Sequence, residues 1–483
     1  MPLRVSAPLR CVRVLVCAVW LLATQVLAAP PADAATERFL DDVQARTFRW
    51  FWETTNPANG LVPDRAPAPP FSSIAAVGFG LTAYGVGVER AYLTREQAVA
   101  RVQVTLRFLS QLRMGTDPTH VGGHRGFFYH FVDMHSGHRY RTCELSSIDT
   151  ALLMLGVLFC REYYDRETPA EAEIRALADA LYRRVEWSWM ETRAFWSRAP
   201  SIRMAWRPER GFGRPSYRGM DEAMFLYVLG IGSPTHPVDP AAWETYTSTY
   251  QWGTFHGQEY TQFGPLFGYQ YAHVWIDPRG LQDPYMRGKG IDYFENSRRA
   301  TYANRAHCAA NPGQFKDYSE LIWGLSACDG PANVKRTVGG RPVRFSTYAA
   351  RGASLRSVRD DGTITPTAPG GSVVFAPEIA IPALQAMRER YGAHLYNEYG
   401  FLDAFNPTYR PEFGPVQRGH VDPQLGWFDA SQLGIDQGPI LLMIENYRTG
   451  FVWRVMSRNP YLVAGLQRGG FSAEWLARVG GGK

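Results

Sequence analysis

The chain has 483 residues, with 51 Lys and Arg against 45 Asp and Glu for a formal charge of +6, and 13% of it is aromatic. A nucleic-acid protein gathers its basic residues on one face, whereas here arginines and acids are interspersed, so no polyanion partner is expected. The length is above that of a usual domain, but helical barrels run this long as one unit, and no linker, charge block or low-complexity tract marks a boundary.

At the start, Arg4, Arg10 and Arg13 precede an apolar run of 15 residues from Val14 to Ala28, followed by Ala29-Pro30. This pattern reads as a signal peptide over residues 1–28. The run is interrupted by Thr24 and Gln25 and falls short of the roughly 20 apolar residues a membrane anchor needs. Cleavage removes three arginines and no acid, taking the charge from +6 to +3. Residues 29–483 are then expected as a single periplasmic or secreted domain. Four cysteines remain, Cys143, Cys160, Cys308 and Cys328. An even number in an exported chain permits disulfides, and Cys308 with Cys328 would close a loop; without a CxxC pair, a zinc knuckle is excluded.

The remaining elements alternate in character. ERFLDDVQARTFRWFWE from Glu37 is amphipathic, and FSSIAAVGFGLTAYGVG from Phe71 is apolar nearly all round. TREQAVARVQVTLRFLSQLR from Thr94 returns to the first type and SSIDTALLMLGVLF from Ser146 to the second. PAEAEIRALADALYRRVEWSW from Pro169 is amphipathic again, and GMDEAMFLYVLGIG from Gly219 and FGPLFGYQYAHVWI from Phe263 are apolar. Residues 331–373, rich in Gly, Thr, Arg and Val, read as an irregular loop or hairpin excursion near the rim. Two further apolar segments follow, APEIAIPALQAM from Ala376 and DQGPILLMIENY from Asp436. Pro265, Pro377 and Pro439 fall in the predicted first helical turns, where a missing N–H is harmless. Helices apolar on every side are surrounded by protein, so six of them inside an amphipathic layer predict an all-α fold, the (α/α)6 barrel.

Inner helices that run the same way gather their N-termini, with unpaired N–H groups and a positive field, at one end. The sequence places acids there: Asp149, Asp221, Glu222, Glu378 and Asp436, with Glu144 just before the Ser146 helix. Paired carboxyl groups in a pocket suit glycosidic hydrolysis, in which one acid protonates the leaving oxygen and a carboxylate serves as base or nucleophile. Neither metal nor cofactor is required. Asp149 and Asp436 also fit plain helix capping. Glu222 does not, because it opens a helix without a polar face, where an ionisable group is costly and its pKa is raised as a general acid requires.

His120, His124, His130, His135 and His138 lie within 19 residues, but the spacing is that of a hairpin and no HExxH motif is present, so sugar-hydroxyl contacts or turn stabilisation are expected instead of a metal. Trp206, Trp252, Phe255, Tyr260, Phe267, Tyr269, Tyr271 and Trp427 lie on predicted loops or inner-helix starts, where flat rings can stack on pyranose faces. Of these, Trp206, Trp252, Tyr260 and Trp427 are candidate substrate contacts, together with His130, Asp221 and Asp436.

The segments FYHFVDMHSGHRYRTCELSSIDTALL, GMDEAMFLYVLGIGSPTHPV, QFGPLFGYQYAHVWID and LGIDQGPILLMIENYRTGFVWR resemble the bacterial glucoamylase-like domain. This family includes endo-β-1,2-glucanases and the processing domain of cyclic β-1,2-glucan synthases. The resemblance runs from about Phe39 to about Pro460. It implies an (α/α)6 barrel outside the cytoplasm that hydrolyses β-1,2-glucan. The family's acid in the GMDEAMF segment falls on Glu222, and its acids around ELSSIDT fall on Glu144 and Asp149. Met220 and Asp221 stand where the family often carries an aromatic residue, a departure that bears on subsite shape. Either Glu144 or Asp149 can be the base, and an inverting or a retaining course is open. Exo action, transglycosylation and a non-catalytic periplasmic glycan-binding role are the alternatives to an endo-β-1,2-glucanase.

Overall fold

The computed structural model describes residues 33–67, 71–193 and 198–480. The expected signal peptide lies outside the described residues. The fold is helix-rich, and among the described residues no sheet exceeds three strands. No described helix is long and apolar enough to cross a membrane.

Among the described residues, five helices of nine residues or more are buried over most of their length: Ile74–Glu89, Ser147–Tyr163, Met224–Gly232, Phe267–Trp275 and Gly434–Thr449. Each turn of these segments presents apolar side chains in every direction, so none has a face to give to water. Amphipathic helices cover them. Ala34–Thr54 packs on the Gly434 and Ile74 helices, Arg95–Gln111 on the Ile74 helix, and Pro169–Arg183 on the Ser147 helix. Tyr293–Ala310 covers the Phe267 helix, and Pro460–Arg468 the Met224 helix. The covering helices are capped as their sequences dictate: Thr94 and Gln97 form a reciprocal capping box, and Thr168 caps a start with Pro169 in the first turn.

Glycine sets the closest approaches. A Cβ on Gly78 would lie 2.2 Å from the Leu152 carbonyl oxygen, and one on Gly156 2.1 Å from that of Gly78, so the Ile74 and Ser147 helices meet backbone to backbone. Gly232 and Gly465 do the same for the Met224 and Pro460 helices.

Three buried helices emerge directly from short strands. Phe71–Ser73 pairs antiparallel with Phe131–Asp133, Leu145–Ser146 with Ala205–Arg207, and Gln432–Leu433 with Arg65–Ala66. In the last two, Leu145 lies opposite Trp206 and Leu433 opposite Arg65. These ladders hold the helix entrances, and therefore the side chains of the first turns, in fixed positions.

The structure corrects several expectations. The helix predicted as an inner one from Ala376 is a covering helix, Pro377–Tyr391, which buries Ile379, Ile381, Leu384 and Met387 and exposes Glu378, Glu389 and Arg390. The corresponding buried segment is one turn, Thr367–Gly370, packed on both the Gly434 and Pro377 helices. It lies within the predicted excursion at 331–373, which has a mixed character. Val334–Val338 and Arg341–Phe345 form a hairpin as expected, but residues 361–376 are buried throughout. Pro439 stands inside the Gly434 helix instead of in its first turn. The carbonyl it cannot bond, that of Ile435, accepts from the Tyr271 hydroxyl at 3.0 Å. All four cysteines are free thiols, with Cys308 and Cys328 both buried and unbridged.

Candidate active site

At one end of the buried helices Asp149 occupies the first turn of the Ser147 helix, where Ser146 Oγ accepts from its N–H at 3.2 Å and donates to Asp149 Oδ2. Glu144 lies just before the preceding strand. His130 bridges the two acids: Nδ1 is 2.9 Å from Glu144 Oε1 and Nε2 is 3.7 Å from Asp149 Oδ1. Arg207, carried on the strand paired to Leu145–Ser146, donates to Glu144 Oε2 at 2.9 Å. Burial disfavours charge on His130, but Asp149 and Glu144 overcome it and raise its pKa to about 9, so the ring is an imidazolium at neutral pH. The bond from His130 outweighs burial at Glu144 and lowers that carboxyl to about 2.

The helix expected from Gly219 begins at Met224, and Asp221 and Glu222 belong to the turn before it. Asp221 Oδ1 accepts from the Ala223 N–H at 2.8 Å and from the Tyr246 hydroxyl at 2.7 Å, a capping arrangement. The Glu222 carboxyl makes no ion pair among the described residues and accepts a hydrogen bond from its own backbone N–H. Burial pushes it well above the ordinary carboxylate range, and the neighbouring Asp221 and Asp149 act in the same direction. Part of its surface stays accessible. Tyr217, buried alongside, feels Glu222, Asp149, Asp221 and Glu144 together, so these four acids share one region.

A second group of acids went unnoticed in the sequence apart from Asp436. Arg65 pairs with Asp329 and, at 3.0 Å, with Asp64, and the Asp329 N–H donates to Asp403 Oδ2 at 2.7 Å. Asp403, Asp429 and Asp436 are each buried with one carboxylate oxygen unpartnered. Burial and the charges of their neighbours raise all three above the usual carboxylate range. Asp329, Asp403 and Asp429 each offer an oxygen within 4.8 Å of the others, a spacing that can hold a cation. Arg65 already supplies one positive charge there, and protons on the raised carboxyls relieve the remainder. The two groups share one field, because Asp64 adds to the charge felt by His130 and the buried Tyr271 feels Asp436 and Glu222 alike.

Other candidates sit elsewhere. Glu378 is on the covering layer, paired with Arg298 at 2.8 Å. Tyr260 is 1% exposed and Trp427 fully buried, its indole N–H donating to the Arg418 carbonyl, so neither can stack on a sugar. On their strands these two rings turn to the core, whereas Trp206 and Trp252 are only half-buried. On its strand Trp206 alternates with Arg207 and stacks on His124 at 4.9 Å, and Trp252 lies under Lys289 at 5.0 Å. Of the five clustered histidines, His130 reaches the acids. Asp64, Asp329, Asp403 and Asp429 come from loops distant in sequence; acids flanked by apolar residues, as in FLDAF and GWFDA, were the available signal.

Residues 216–460, just over half of the chain, match the family model Glycoamylase, described as "Putative glucoamylase". The chain is 31% identical to a crystal structure described as "a putative glucoamylase" from Bacteroides uniformis, covering 91% of this chain and 98% of that one with a TM-score of 0.75. It is 26% identical to the endo-β-1,2-glucanase of Chitinophaga pinensis, solved with sophorotriose and glucose, over 91% of this chain and 99% of that one with a TM-score of 0.76. The exo β-1,2-glucooligosaccharide sophorohydrolase of Parabacteroides distasonis is 28% identical over 92% of this chain, which spans 59% of that relative's length. On this evidence the chain belongs to the glucoamylase-like family of glycoside hydrolases, whose members related to it include enzymes named for β-1,2-glucan and its oligosaccharides.

Proposed function

We propose that this protein is a periplasmic or secreted endo-β-1,2-glucanase that works by general acid–base catalysis, with Glu222 as the acid and no cofactor. The observation that carries the reading is the Glu222 carboxyl itself, without an ion pair among the described residues and pushed by burial toward its protonated form. A carboxyl that keeps its proton at neutral pH can deliver it to the glycosidic oxygen as the bond breaks and charge develops on the ring. Asp149 is the carboxylate we assign as base, taking a proton from the attacking water. Ser146 and the His130 imidazolium hold it in place. Glu144 is then a positioning group: bound by Arg207 and His130, and lowered to about 2, it is a poor proton acceptor that keeps His130 charged.

We read the buried helices, with the Thr367 turn as the sixth member, as the inner ring of an (α/α)6 barrel. Endo action is supported by the match with the Chitinophaga pinensis enzyme over 91% of this chain and 99% of that one. The deciding experiment follows the products released from linear β-1,2-glucan and their anomeric configuration. A ladder of mixed oligosaccharides is expected; release of sophorose alone would establish exo action, longer products would indicate transglycosylation, and no products would leave a glycan-binding role. Retained configuration requires carboxyl groups about 5 Å apart, and inversion about 6.5–9.5 Å.

A further inference from the structure

A groove of 540 Å³ runs between the turn carrying Gly219 and Met220 and the hairpin Gly352–Arg359. Three arginines line it, Arg218, Arg356 and Arg359, and no Asp or Glu does. All three are exposed and make no ion pair or side-chain hydrogen bond among the described residues. Asp221, Asp360 and Asp361 are already engaged, and Glu222, four residues from Arg218, is pushed by burial toward its neutral form. Asp221 is held by Tyr246 and the Ala223 N–H, Asp360 by the Tyr318 hydroxyl at 2.8 Å and by His307, and Asp361 by Arg351. Three uncompensated guanidinium groups around one concavity repel one another and attract an anion.

The hairpin that carries two of them is rigidly mounted. A Cβ on Gly352 would fall 2.1 Å from the Gly264 carbonyl carbon, so its base rests directly on the neighbouring backbone. Its tip closes on a 2.9 Å bond from the Ser354 N–H to the Ser357 carbonyl. Gln262 ties tip to floor, accepting from the Leu355 N–H at 3.1 Å while donating to the Gly253 carbonyl at 2.8 Å. The arginines are therefore presented from a fixed scaffold, which reduces the entropy lost on binding.

We propose that this groove binds a negatively charged substituent, phosphate or carboxylate, carried by a sugar residue of the chain being cut. The inference rests on the glycan-hydrolase reading above. Placement is the reason for assigning the charge to the sugar: Gly219 and Met220, three and two residues before Glu222, form one wall of the groove. The groove is too small for a macromolecular polyanion, and its remaining polar lining, Thr249, Gln251 and Ser354 among it, suits hydroxyl groups.

The test compares neutral β-1,2-glucan with the same glucan carrying carboxylate half-esters, introduced with a cyclic dicarboxylic anhydride, or phosphate groups. Wild-type enzyme is expected to favour either charged form by about tenfold in kcat/KM at low salt. That ratio should fall toward one at about 1 M salt, where screening is nearly complete, and in the triple variant Arg218→Ala, Arg356→Ala, Arg359→Ala. Absence of a preference in the wild type, or its survival in the variant, overturns the proposal. Calorimetric binding of charged and neutral oligosaccharides to Glu222→Gln protein reads the groove without turnover: tighter binding of the charged form supports the proposal, and equal binding overturns it. Failure of the wild type to cut any of the glucans counts against the hydrolase reading alone. Inorganic phosphate binding as tightly as the charged oligosaccharide would make this a free-anion site and overturn the sugar-borne assignment.

Discussion

Glu144 and Glu222 carry the same side chain into the same region, and their surroundings drive them apart. Glu144 receives bonds from His130 and Arg207 and is lowered to about 2, so it stays an anion. Glu222 receives neither and is raised by burial. Replacing Glu222 by Gln is expected to lower kcat on β-1,2-glucan by about 10²–10⁴-fold with an unchanged circular dichroism spectrum. A glycosyl fluoride, whose leaving group needs no proton, should lose far less. The pH profile supplies an independent check. With Glu222 as the proposed acid, the wild-type rate is expected to fall as pH rises through its raised pKa, above the ordinary carboxylate range, and in the Gln variant that limb should vanish. The raised pKa of Glu222 was legible in the sequence from an acid placed beside the apolar AMFLYVLGIG. The neutralisation of Glu144 was not, since Arg207 is 63 residues away and reaches it only through strand pairing.

At the scale of elements, the buried helices depend on glycine where backbones touch. In Gly78→Ala the new Cβ would meet the Leu152 carbonyl at 2.2 Å and the Leu153 Cα at 2.9 Å, and neither is a flexible side-chain end that can move aside. Separation of the two helices should destabilise the protein by about 1–3 kcal/mol in urea unfolding. Gly288→Ala is the control: a Cβ there meets nothing within 4 Å, its φ is unexceptional, and it lies in the helix Pro284–Lys289, so stability should be unchanged or slightly raised. Five buried helices were readable as apolar runs because each is at least two turns long. The Thr367–Gly370 turn has four residues, too few to show a period, whereas APEIAIPALQAM from Ala376 is largely apolar and shows its solvent face only at Glu378 and at Glu389 and Arg390.

Across the whole molecule, acids gathered from distant loops at one end of the buried helices have raised pKa values, which makes stability depend on pH in a definite direction. Asp429 is fully buried; Oδ1 accepts from the Ala430 N–H at 2.7 Å and Oδ2 has no partner. Burial, with Asp403 and Asp329 nearby, raises its pKa. A carboxyl with a raised pKa binds its proton more tightly in the folded than in the unfolded chain. Its contribution to stability is therefore complete below the unfolded value of about 4 and is lost as pH rises through the folded value. Asp429→Asn removes that titration while its amide can donate toward the neighbouring carboxylates, where the acid offered only another acceptor. The variant's thermal midpoint is expected to exceed that of the wild type at pH 8, with the difference shrinking steadily toward pH 4. A constant difference across this range would mean that Asp429 acts through packing, and the strained charge would then have to reside on Asp403 and Asp436, which the corresponding Asn variants would locate.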